Sequence, residues 1–227
     1  MNEQMPDEQP DDATSPIEFR PSVEAQVVPE GARDLALVFL GASLVAGVGD
    51  PKGQGWVTRV VGRTQHPDLE LTAYNLGVRG DTSANVLQRW GTEVPLRWAG
   101  RTERRVVLSV GTNDVVSGIT LARHRLNLAN LLDDATASGV GAFVVSPPPT
   151  DDPELNERLE VLVDAQADVC GRRGIPFVDC FAPLLGHEQW SSDLAASRVQ
   201  HHPGQAGYGL IAWLVLHNGW DDWLQIS

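Results

Sequence analysis

The sequence predicts a three-layer α/β/α sandwich around a parallel sheet of about five strands, and three observations carry that expectation. Apolar runs of strand length alternate with longer segments of helical period. The runs are apolar throughout, as in strands covered on both faces, and do not alternate with polar residues. Glycine and polar residues gather directly after the runs, where an open parallel sheet binds its ligands.

The strand candidates are 35–40 (LALVFL), 71–75 (LTAYN), 106–110 (VVLSV), 142–146 (AFVVS) and 176–179 (PFVD). Helical period appears near 56–65, 82–98, 122–137 and 154–170, with a last helix near 204–216. This βαβα order implies right-handed crossovers. No internal repeat or linker divides residues 34–227, so one domain is expected there.

Residues 1–33 read differently. The first 30 residues hold eight acids against Arg20 alone, a net −7 of the chain's −13. Rich in Pro, Asp, Glu and Gln with little to bury, this stretch reads as a disordered acidic leader. It lacks the positive start and apolar core of a secretory signal. No later segment approaches the roughly 18 unbroken apolar residues of a membrane span, so a cytoplasmic protein without a membrane span is expected.

An acidic balance without a basic face argues against nucleic acid. The pairs Arg104-Arg105 and Arg172-Arg173 read as solvated charge in loops before strands. Cys170 and Cys180 match neither a disulfide framework nor a zinc spacing, and read as buried thiols.

The loops after the strands carry the chemistry. After the first run comes Gly41-Ala42-Ser43, after the second Asn75-Leu76-Gly77, after the third Gly111-Thr112-Asn113-Asp114 and after the fourth Pro147-Pro148-Pro149. Before the last helix stands His201-His202-Pro203-Gly204. Acyl transfer needs a nucleophile, a base and donors aimed at an oxyanion. Ser43 supplies a hydroxyl at a strand-to-helix turn, His202 a base on a backbone fixed by Pro203, Gly77 an unmasked N–H and Asn113 an amide. Alone, each has a plainer reading: Ser43 as a helix cap, Asn113 and Gly77 as turn residues. Their joint occurrence at one sheet edge favours the site.

This order of blocks, GxS, NxG, GTND and HP before a final helix, resembles the SGNH (GDSL-type) esterase and lipase family. The resemblance includes "YNLGVRGDTS", "SVGTND" and "HPGQAGY" and spans nearly all of the chain after the leader. It implies a flavodoxin-like SGNH hydrolase fold and a serine hydrolase that needs neither metal nor cofactor. It also implies an acyl-enzyme on Ser43, His202 as general base, and an oxyanion hole from the Ser43 N–H, the Gly77 N–H and Asn113. The partner would be a small ester or acyl substrate.

Two departures stand out. Ala42 occupies the place of the family's Asp in the first block, with a modest effect expected. Val199 occupies the place of the Asp that lies three residues before the histidine and orients it. Three readings of that gap stay open on the sequence. A backbone carbonyl near Val199, or a side chain such as Asp193 nine residues upstream, orients His202 in a working dyad. The enzyme is slow and specialised. Or the chain is a pseudoenzyme that binds an acyl or carbohydrate ligand.

Other residues carry weaker signals. His201 reads as an exposed neighbour before it reads as a group that orients His202 or meets substrate. Trp190 and the 147–149 prolines read equally as an acyl-pocket wall and as packing; Trp213, Trp220 and Trp223 read as core aromatics. Asp81 and Asp114 read as helix caps as readily as ligand contacts. Nucleotide or flavin binding has only "GVGD" at 47–50 in support, without a dinucleotide or phosphate-loop fingerprint.

Overall fold

A computed structural model describes residues 30–226. The acidic leader expected over 1–33 lies almost wholly outside the described residues. Five strands form one sheet: β1 (Arg33–Gly41), β2 (Leu69–Gly77), β3 (Glu103–Ser109), β4 (Gly141–Val145) and β5 (Phe177–Val178). All neighbours are parallel, in the order β2-β1-β3-β4-β5. This is the flavodoxin-like order of a doubly wound sheet.

The strand β1 shows why the runs are continuously apolar. Leu35, Leu37 and Phe39 face one layer, while Ala36, Val38 and Leu40 face the other. All six are fully buried. The first layer contains α2 (Gly55–Val61), α8 (Glu188–Ala196) and α9 (Gln205–Val215). The second contains α3 (Ser83–Glu93), α4 (Pro95–Trp98) and α6 (Leu121–Ala137). The long helix α7 (Pro153–Gly171) packs beside α5 (Thr112–Val116) in a smaller cluster with Val115, Leu159 and Phe181. A short α1 (Ser43–Ala46) follows β1, and α10 (Asp221–Leu224) closes the described chain.

Several expectations shift in detail. The single helix expected over 82–98 divides at Pro95, which opens α4 because it cannot supply an N–H to a continuing helix. Helix α8 lies in a stretch to which the sequence assigned no element. Arg104 and Arg105 sit inside β3, not in a loop before it. Arg105 donates to Glu103 and lies 5.3 Å from the Trp223 ring. Arg172 pairs with Asp168 and Arg173 with Asp133. Trp220 and Trp223 are buried as expected, but Trp213 is 56% exposed and stacks on His217. Both thiols are buried, and burial pushes Cys170 up to about 12.

Phe39 meets Trp56 edge-on and stacks near Trp220, fixing β1 to two elements of the first layer. Removing a buried phenyl loses its transfer energy and leaves a cavity. Phe39→Ala is therefore expected to lower stability by about 3–5 kcal/mol in equilibrium urea unfolding.

Candidate active site

The sheet order reverses at β1, which pairs with β2 on one side and β3 on the other. The crevice beyond the carboxyl ends of β1 and β3 is where such sheets hold ligands. Ser43 leaves β1 at this point, opening α1, and Asn113 leaves β3 in α5. Ala42, the N-cap of α1, supplies no side-chain hydrogen bond, so the absent carboxylate leaves the first turn uncapped.

His202 arrives from the segment between α8 and α9. Its Nε2 lies 2.7 Å from Ser43 Oγ, and its Nδ1 lies 2.7 Å from the Gln200 carbonyl oxygen. A carbonyl oxygen only accepts, so Nδ1 carries the proton and donates it. Nε2 is thereby left with its lone pair toward the serine hydroxyl, the arrangement a general base requires. Burial lowers the His202 pKa from its ordinary 6.5, against the opposing effect of the Gln200 carbonyl, and the positive charge of Arg79 lowers it further. The imidazole is thus held neutral in the range where it must accept a proton.

The carboxylate expected near this histidine points elsewhere. Asp193 accepts the N–H of Gly207 at 2.8 Å, in the first turn of α9. Val199 contributes its backbone alone: its carbonyl accepts the His202 N–H at 3.1 Å and the Ser197 hydroxyl at 3.3 Å. The acceptor at Nδ1 is the residue between Val199 and the two histidines.

Asn113 donates from Nδ2 to the Asp81 carbonyl at 2.8 Å, which ties the loop after β2 to α5. One amide hydrogen remains for a ligand. Gly77 is placed differently from the expectation. It ends β2, its N–H donates to Asn75 Oδ1 at 3.0 Å, and a Cβ there would collide with the backbone of Ala46. Its lack of a side chain lets α1 lie against β2, and its N–H is already engaged.

Three residues on, Gly80 has φ +88° and open space around its Cα. Among the described residues, the Gly80 N–H has no hydrogen-bond partner. It precedes Asp81, whose carbonyl holds Asn113. The sequence did carry a signal for Gly80: it stands just before Asp-Thr-Ser, where Thr82 forms a capping box with Asn85 and α3 begins.

Beneath Asn113 lies a buried polar network. Asp114, wholly buried, accepts the Ser83 N–H at 2.9 Å, the Ser83 hydroxyl, and His124 Nδ1–H at 3.0 Å. Gln166 Nε2 donates to the Val110 carbonyl at 2.8 Å and to His124 Nε2 at 3.1 Å. His124 therefore holds its one proton on Nδ1. The network joins α3, α5, α6 and α7 under the site, and Asp114 belongs to it rather than to a ligand surface. Asp81 instead pairs with Arg89 at 2.7 Å.

Ser43, Asn113, His201 and His202 line a cavity of about 150 Å³, walled by Leu44, Val110, Val116 and Pro147. A larger hollow of about 400 Å³ beside α5 and α7 does not include Ser43. Trp190 lies outside the cavity lining; it is buried and donates to the Pro149 carbonyl at 3.2 Å. Among the described residues, no group of three or more His, Cys, Asp or Glu is placed to hold a metal ion. No helix of those residues is long and apolar enough to cross a membrane.

A five-stranded parallel sheet flanked by helices, with these residues at its carboxyl edge, defines an SGNH hydrolase fold. The model of the GDSL-like lipase/acylhydrolase family matches residues 39–210, and the chain belongs to that family. It is 29% identical over 133 residues to esterase TesA of Pseudomonas aeruginosa. That match covers 58% of this chain and 64% of that esterase's length. Among solved structures, the chain is similar to the acetylxylan esterase Axe2 of Geobacillus stearothermophilus. Identity is 21% and TM-score 0.67, covering 83% of this chain and 94% of that one. A lipase/acylhydrolase of Enterococcus faecalis is 23% identical with a TM-score of 0.66, covering 82% of this chain and 96% of that one.

A base must be neutral to work, so activity is expected to fall as pH drops through the pKa of His202. Because that pKa is lowered, the acid limb of kcat/KM against pH should have its midpoint below 6.5. A midpoint above 6.5 would show that burial does not lower the pKa of the imidazole.

Proposed function

We propose that the protein hydrolyses small carboxylic esters through an acyl-enzyme on Ser43, with His202 as general base. The single observation that supports this most is the 2.7 Å contact between Ser43 Oγ and His202 Nε2, together with the proton on Nδ1. Family membership and the likeness to an esterase over part of its length point the same way.

In the reaction, His202 Nε2 takes the hydroxyl proton as Ser43 Oγ attacks the ester carbonyl carbon. The carbonyl oxygen becomes an oxyanion, and its proposed donors are the Ser43 N–H, the free Asn113 amide hydrogen and the Gly80 N–H. Gly80 replaces Gly77 in this role because its N–H is not engaged. As the tetrahedral intermediate collapses, Nε2 returns the proton to the departing alkoxide, which leaves as the alcohol. A water molecule then repeats the cycle on the acyl-enzyme, releasing the acid and restoring the serine.

The cavity volume supports a short acyl chain. Removing one preorganised oxyanion donor lowers turnover by about 10²–10³ in comparable sites, so Asn113 is expected to matter nearly as much as the base.

The test is the rate of p-nitrophenyl acetate hydrolysis by the wild type beside Ser43→Ala and His202→Ala, with covalent labelling by a serine-directed organophosphonate. The wild type should turn over well above both variants and gain one covalent adduct, and Ser43→Ala should gain none. Equal labelling of Ser43→Ala would remove Ser43 as nucleophile. Rates equal to the buffer blank in all three proteins would leave a binding protein in place of an enzyme.

A further inference from the structure

We infer that Asp151 and His201 are positioning residues that hold the Gln200 carbonyl on His202, and so stand in for the carboxylate missing at position 199. This rests on the reading of His202 as general base. Val199, Gln200, His201 and His202 form a four-residue turn closed by the His202 N–H to the Val199 carbonyl. His201, at its third position, has φ +59°, a left-handed backbone uncommon outside glycine.

The sign of that angle matters because it is tied to the central peptide of the turn. Turns of types I and II differ by a flip of that peptide, and a positive φ at the third position belongs to the type II orientation. The central peptide here is the one joining Gln200 to His201, and its carbonyl is the acceptor at Nδ1. If His201 relaxed to negative φ, the peptide would flip and turn that oxygen away from the imidazole.

Something must hold His201 in this disfavoured state. Its Nδ1 is hydrogen-bonded to Asp151 Oδ1, 50 residues earlier in the chain. Asp151 is itself on a rigid mount. It follows Thr150, whose N–H and hydroxyl donate to Asn156 Oδ1 at 2.7 and 3.0 Å, and precedes Asp152, which caps α7. The preceding prolines are buried, and Trp190 donates to the last of them. The carboxylate thus acts through the backbone of His201 on the ring of His202, without touching that ring.

Two readouts test this, one of them independent of turnover. In proton NMR, the wild type should give a slowly exchanging His202 Nδ1–H signal, and Asp151→Ala should lose it. In ester hydrolysis, Asp151→Ala should lower kcat about tenfold or more with KM changed less than about twofold, because the base loses its tautomer while the cavity wall remains. Adding Val199→Asp to Asp151→Ala should restore kcat, since a carboxylate then stands three residues before His202.

His201→Gly should retain more activity than His201→Ala, because glycine adopts positive φ freely. An unchanged Nδ1–H signal in Asp151→Ala, an effect on KM alone, or equal activities of the Gly and Ala variants at 201 would overturn the assignment. If the signal depends on Asp151 but the wild type shows no Ser43-dependent turnover, the positioning stands and the esterase reading fails.

Discussion

The site depends on one hydrogen bond, from His202 Nδ1–H to a backbone carbonyl. A carbonyl dipole and a carboxylate both fix the tautomer of an imidazole, but only the carboxylate neutralises the imidazolium that forms when the base takes its proton. In serine proteases, replacing the orienting aspartate by asparagine lowers turnover by about 10⁴, largely by imposing the wrong tautomer. Here the tautomer is correct, so the loss relative to a full triad should be smaller. What remains missing is the ion pair, and Arg79 adds charge of the wrong sign for a cationic ring. For the base proposed above, slow turnover is the expected consequence.

The fold supplies the rest by bringing separate loops to one edge. Burying β1 on both faces holds its carboxyl end rigid, and Ser43 stands on the first turn beyond it. Gly77 allows α1 to sit directly on β2, and Asn75 reinforces that contact by donating to the Val45 carbonyl at 2.7 Å. On the other side of the crevice, the buried Asp114 network fixes the strand-to-helix turn that carries Asn113. Each member of that network has a partner on another element; among the described residues, the Gln166 Oε1 atom has none. Such a network positions best when its bonds are satisfied, since a buried unpaired group is costly.

How much of this was legible in the sequence follows from what sequence encodes. Continuous apolar runs marked β1, β3 and β4 closely because burial on both faces leaves a compositional trace; β2, only half-buried, was marked over its middle five residues, and the run expected over 176–179 holds only the two-residue β5. Ser43, Asn113 and His202 could be named because the proposed chemistry lies in their side chains. Gly80, proposed as donor in place of Gly77, could not be told from it, because the group concerned is a backbone N–H, and which one is free depends on the turn. Helix α8 escaped because, within it, only Trp190 and Leu194 are buried. A backbone carbonyl near Val199 was one of the readings the sequence left open; that it is the carbonyl of Gln200 could not be read, for the same reason as Gly80: every residue has one, and its direction depends on the turn.

The most direct measurement is the pair of ¹⁵N chemical shifts of the His202 ring near neutral pH, read by long-range proton correlation. The account requires a neutral ring with Nδ1 protonated and Nε2 bare, and a shift of Nε2 when Ser43 is changed to Ala. A ring protonated on Nε2, or a ring doubly protonated at neutral pH, would contradict it, because the nitrogen facing Ser43 would then have no lone pair to accept the proton.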